Sequence, residues 1–162
     1  MGSAEVVVTG LGMVTPLGST ARATHEVWLA GRSARVEPHP ALAGTPLESS
    51  PMAVLPELDA SQRLGGRRVL KYLSDSGVLA ALAAREAVQD AAIGARMPAA
   101  SMGLYAATGL TTVQLSDVRD IIEASIGSDG RFSSSLFGER GLALTNPLLS
   151  FRILANMPAC LI

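Results

Sequence analysis

Between positions 38 and 56 the chain carries Pro38, Pro40, Pro46, Pro51 and Pro56. Each proline removes a backbone donor and clashes with the preceding turn of a helix, so neither a long helix nor a central strand can run through this stretch. Residues 33–73 therefore read as an irregular excursion. One so long inside a compact domain is either functional or a packing arm for a larger body, and the periodic elements must lie on either side of it.

On the N-terminal side, Val6, Val7 and Val8 form a β-branched run bounded by Gly10, Gly12 and Pro16, the pattern of a strand buried on both faces. A helix is expected to start near Ser19 or Thr20, carry Val27, Trp28 and Leu29, and stop at Gly31. On the C-terminal side, Ser74, Asp75 and Ser76 can cap a helix over "GVLAALAAREAVQDAAIG", with Gly94 as its end. Ala80, Ala84, Ala87 and Ala91 recur at spacings that put them on one stripe, opposite Arg85, Glu86, Gln89 and Asp90. Small side chains on such a stripe let a neighbouring backbone come close. "MGLYAATG" at 102–109 is a second candidate strand. Thr111 or Thr112 is the expected cap for a helix carrying Leu115, Val118, Ile121 and Ile122. "GSDGRFSSS" at 127–135 is a loop by composition, and an apolar segment closes the chain. Strands alternating with helices imply an α/β layered domain with a mostly parallel sheet. Two strands are too few for a sheet that stands alone, which points to an incomplete fold.

The 162 residues suffice for one domain, and 48% hydrophobic against 17% charged residues is ample for a core. Thirteen Lys and Arg face fourteen Asp and Glu, a net charge of −1 with no stretch of one sign, so neither nucleic acid nor an anionic membrane is an expected partner. Cys160 is the only cysteine, which excludes an internal disulfide and fits a reducing cytoplasm. No apolar run reaches the roughly 18 residues of a membrane span, and the start lacks a basic region followed by a long apolar stretch.

Few residues carry chemistry. "VVVTGLGMVTPLG" begins like a dinucleotide fingerprint, but Thr15 stands where the third glycine belongs and Pro16 follows it, so a structural turn is the better reading. His25 and His39, the only histidines, lack the spacing of a metal pair. Cys160 would lie in the first turn of a helix opened by Pro158, where free amides favour a thiolate. Its apolar neighbours Ala159, Leu161 and Ile162 fit a thiol that packs as a small hydrophobe.

Taken in order, "VVVTGLGMVTPLG", "VWLAGRSA", "REAVQDAAI", "MGLYAATGL" and "NPLLSFRILANMPACLI" resemble the β-ketoacyl synthases of the thiolase-like fold, and most closely the type II condensing enzymes of fatty-acid and polyketide synthesis. The resemblance covers essentially all of residues 1–162. It implies a layered α-β-α-β-α sandwich of two similar halves, of which this chain would be the N-terminal part of the first, with apolar faces left open for the second.

The resemblance also implies a reaction. Such enzymes accept an acyl group from acyl carrier protein on a cysteine in a motif like T-A-C-S-S or T-A-C-A-S, and two histidines then help decarboxylate malonyl-carrier protein and stabilise the oxyanion. By this alignment the cysteine falls about twenty residues past Ile162, so Cys160 is upstream of it, and His25 and His39 match neither histidine. No catalytic residue, cofactor or metal is carried over, and the chain alone is expected to be inactive. Leu110 corresponds to a position lining the acyl pocket. Leu149 corresponds to one reaching the partner subunit's pocket across a dimer interface, although core packing would equally favour leucine at both. Expected partners are acyl carrier protein with its acyl or malonyl thioester and a second subunit, in a homodimer or heterodimer, or a complementing C-terminal chain. The alternatives are a non-catalytic subunit that shapes chain length in a heterodimer and, less well supported, a free-standing α/β binding domain.

Overall fold

The computed structural model describes residues 5–107, 109 and 113–162. Helix α1 spans Ala21–Leu29. Its start is fixed where the sequence places it: the Thr20 hydroxyl accepts from the Ala23 amide at 3.1 Å, satisfying one of the donors a helix leaves open at its first turn. At the other end Gly31 takes a positive φ of 64°, the conformation that terminates helices most cheaply without a Cβ.

The proline-rich stretch holds more order than its composition suggests. Strands β1 (Val36–Pro38) and β2 (Pro51–Ala53) pair antiparallel, with Val36 opposite Ala53 and Pro38 opposite Pro51. Facing prolines offer no N–H at that end, so the ladder stops there. Two single-turn helices follow, α2 (Ala60–Arg63) and α3 (Arg67–Leu70). The Asp59 carboxylate caps α2 by accepting from the Gln62 amide at 2.9 Å.

Helix α4, Asp75–Asp90, is the longest element among the described residues. The Ser74 hydroxyl accepts from the Gly77 amide, as the capping cluster predicts. The helix stops short of Gly94 because Ala92 enters the left-handed region at φ 50°. Leu73, Ala81 and Leu82 are buried, Leu82 to 1% exposure.

Helix α5, Leu115–Ala124, begins after Gln114, whose amide donates to Asp117 Oδ2 at 3.2 Å. The expected caps Thr111 and Thr112 lie outside the described residues. Ile121 on α5 is buried, and the Ser125 hydroxyl donates to its carbonyl at 2.6 Å. The segment read as a loop folds back at Gly127, where Ile126 bridges to Phe132, then forms α6 (Ser134–Leu136) and a single π-helical turn, Phe137–Gly141. Gly141 is required there, since a Cβ would stand 2.6 Å from Ser125 Oγ.

Short helices α7 (Leu149–Arg152) and α8 (Met157–Leu161) close the described chain. Arg152 pairs with Asp117 at 2.8 Å, with the two side chains only 20% and 10% exposed. One carboxylate thus caps α5 and holds α7 to it. Pro158 of α8 sits against α4, 3.3 Å from where a Cβ on Gly77 would be.

The chain is thus a mixture of helix and strand, a composition compatible with an α/β class. Two expectations are corrected. Val6–Val8 and residues 102–107 form no strand, and the one sheet among the described residues is antiparallel. A strand exists only through its hydrogen-bonded neighbour, and no described segment forms a ladder or bridge with either run. Val6 is 93% exposed and Tyr105 98%. No helix among the described residues is long and apolar enough to cross a membrane.

Candidate functional site

The most developed local arrangement is the seat of the glycine-rich segment on α4. Ideal Cβ atoms on Gly12 would stand 1.8 Å from the Ala83 carbonyl oxygen and 2.7 Å from the Ala87 nitrogen. On Gly10 they would stand 2.4 Å from the Ala87 carbonyl oxygen and 2.8 Å from Ala91 Cβ. Backbone meets backbone here, which is possible only because both surfaces lack side-chain bulk. The alanine stripe does admit a neighbouring chain, but the row in use is Ala83, Ala87 and Ala91, one turn apart, rather than the row through Ala80 and Ala84.

Two carboxylates fasten the same segment. The Leu11 amide donates to Asp90 Oδ2 at 3.0 Å and the Met13 amide to Glu86 Oε2 at 3.0 Å. Glu86 Oε1 also accepts from the Ala21 amide at 2.9 Å, in the first turn of α1. One side chain therefore joins segment, α1 and α4. These two residues were expected on a face away from the alanines, and nothing in periodicity marks a side chain that reaches a backbone more than sixty positions away. The arrangement favours the structural turn over a phosphate site: the Leu11 and Met13 amides already donate to carboxylates, and an anion beside them would meet negative charge.

Beside this seat lies an open cleft of about 600 Å³ lined by Leu11, Met13, Arg22, His25, Glu86 and Asp90, among others. The His25 ring lies 6.2 Å from that of Trp28, and Arg22 is engaged with Glu26 at 2.8 Å, which raises the Arg22 pKa through that hydrogen bond and the opposite charge. His39 lies between β1 and the turn that follows it. Among the described residues, no group of three or more His, Cys, Asp or Glu could hold a metal ion.

Cys160 is exposed on α8, with Pro158 in the first turn of that helix as the sequence suggests. Its amide donates to the Asn156 carbonyl at 3.2 Å, so it is part of the helical ladder and not a free N-terminal donor. Leu161 and Ile162, its neighbours, line an open cavity of about 270 Å³ with Leu64, Val69, Ala81, Ala84 and Arg85. Cys160 is not among the residues that line this cavity, and nucleophilic activation of a thiol requires a base beside it. An apolar cleft of about 460 Å³ includes Val88, Ile93, Met97, Met102 and Leu104.

Of the two leucines expected near an acyl chain, Leu110 lies outside the described residues. Leu149 is half-buried as the first residue of α7. Two positions on, Phe151 meets the Tyr72 ring edge-on at 5.8 Å. No protein-family profile, curated protein or solved structure matches this chain.

Proposed function

We propose that this chain is a part of a β-ketoacyl synthase of the thiolase-like fold, working in the cytoplasm on thioesters borne by acyl carrier protein. In that reading it supplies framework from the first half of the layered sandwich, with Leu110 and Leu149 facing the acyl chain. The nucleophilic cysteine and the two histidines come from the remainder of the assembly. The reaction would run through attack of a cysteine thiolate on the acyl thioester, with the carrier thiol leaving. Loss of carbon dioxide from the malonyl unit then generates the carbanion that takes the acyl group and frees the cysteine.

The reading rests on the five ordered sequence motifs, and one physical observation supports it. The accessible surface is 11722 Å² for 16.7 kDa, whereas a compact monomer of that mass exposes about 7,600 Å². Large apolar side chains are among those left exposed, including Val6, Val7, Val8, Leu104 and Leu144. A layer made to be covered on its faces has this property.

The test is the coding sequence that follows Ile162. A cysteine in a T-A-C-type motif about twenty residues on supports the condensing enzyme. Absence of any such motif, either there or in a chain that copurifies with this one, overturns it.

A further inference from the structure

We infer that residues 5–14 form a strap that lifts from α4 as one unit, with Glu86 and Asp90 as its latch. The boundary at one end is the tight turn in which Thr15 and Gly18 exchange two backbone hydrogen bonds, at 2.9 and 3.1 Å. Past that turn toward the N-terminus, no backbone bond joins the strap to the rest of the described residues. Its described polar attachments are the Leu11 and Met13 amides on two side chains one helical turn apart, and both bonds are solvent-exposed. Val6, Val7 and Val8 beyond them are exposed.

A segment with few buried contacts and exposed hydrogen bonds opens at lower free energy than the core beneath it. Gly10 and Gly12 are flush against consecutive turns of α4, so lifting the strap as one unit breaks both latch bonds together. Opening bares the row Ala83, Ala87 and Ala91 and frees the valine run to move as a strand in search of a partner. The device does not depend on the condensing-enzyme reading, since it is built only from contacts within this chain.

The latch predicts an asymmetry between two conservative substitutions. Glu86 accepts with both oxygens, from Met13 and from Ala21, so Glu86→Gln must turn an NH₂ group toward one of them. Asp90 accepts with one oxygen, from Leu11, and the carbonyl of Asp90→Asn can replace it. Amide hydrogen exchange of the full chain, read residue by residue, tests this.

In the unsubstituted chain the Leu11 and Met13 amides should exchange faster than the Leu82 amide within α4. Glu86→Gln should speed exchange at Met13 or Ala21 by roughly 10-fold while Leu82 is unchanged, and Asp90→Asn should speed Leu11 by no more than about 3-fold. Equal exchange at Met13 and Leu82 in the unsubstituted chain overturns the inference without any variant. Exchange unaltered by Glu86→Gln, or altered more by Asp90→Asn, overturns the latch.

Discussion

Gly12→Ala places the sharpest demand on this structure. The added Cβ would lie 1.8 Å from the Ala83 carbonyl oxygen and 2.8 Å from its carbonyl carbon, both backbone atoms in the middle of α4 with no side-chain freedom to yield. Ordinary contact begins at about 3.4 Å, so the segment must retreat by roughly 1.6 Å. That retreat stretches the 3.0 Å bonds from Leu11 to Asp90 and from Met13 to Glu86 past useful length.

Two exposed hydrogen bonds to carboxylates, at the lower end of their usual worth, together with lost backbone packing amount to about 2–3 kcal/mol. For a chain of this size that is a fall in Tm of roughly 5–10 °C. Urea and thermal unfolding followed by circular dichroism measure it. Gly94→Ala is the control, because a Cβ there meets nothing within 4 Å and Gly94 has no positive φ; it should be neutral or slightly stabilising. A Gly12→Ala chain within about 0.5 kcal/mol of the unsubstituted one would show that the glycine seat on α4 is not as described.

Three further outcomes follow from single residues. Ala92 holds a left-handed φ of 50° just past α4, so Ala92→Gly should raise stability by about 1 kcal/mol in the same unfolding assay, and a loss would contradict that conformation. Arg152→Ala removes the partner of Asp117 in a pair that is mostly buried and should cost about 2 kcal/mol, with α7 losing amide protection before α5; unchanged protection of α7 would refute its attachment through this pair. Hydrogen bonds from the Gln62 amide and then from Ser61 hold the Asp59 carboxyl below the usual carboxylate range. The stability this gives to α2 is complete above the ordinary Asp value near 3.9 and is lost as pH falls through the lower folded value. The Gln62 amide resonance should therefore titrate with a midpoint below that ordinary value, and a midpoint at or above it would contradict the cap.

What could be read from the sequence was local. Thr20 and Gly31 bracket α1, and Ser74 starts α4, because caps act through residues three or four positions away. That an alanine row on α4 could admit a close backbone was also legible, since it needs only the absence of side chains, but neither the row used nor the glycine segment that uses it was. The parts that were not legible depend on distant partners. Val6–Val8 has the composition of a buried strand, but composition supplies no neighbouring ladder. The latch of Glu86 and Asp90 follows no period, and the hairpin of β1 and β2 hides among prolines because three-residue strands need almost no pattern. The end of α4 at Asp90 was obscured by an alanine adopting a backbone conformation usually left to glycine.

The candidate site divides the same way. Cys160 was correctly placed just after a helix-opening Pro158, yet its exposure, and the turn of Leu161 and Ile162 toward a cavity lined by α3 and α4 residues, come from the packing of α8. Leu149 is half-buried at the start of α7, which suits either an acyl-facing or a packing residue.

The proposal that this chain belongs to a condensing enzyme yet carries no nucleophile of its own is tested most directly by intact-protein mass spectrometry. The purified chain is incubated with acyl-loaded acyl carrier protein and then chased with malonyl-loaded carrier. The account predicts an unmodified mass and no condensation product. An acyl thioester on Cys160 that is converted to product in the chase, and that vanishes in Cys160→Ser, would contradict it.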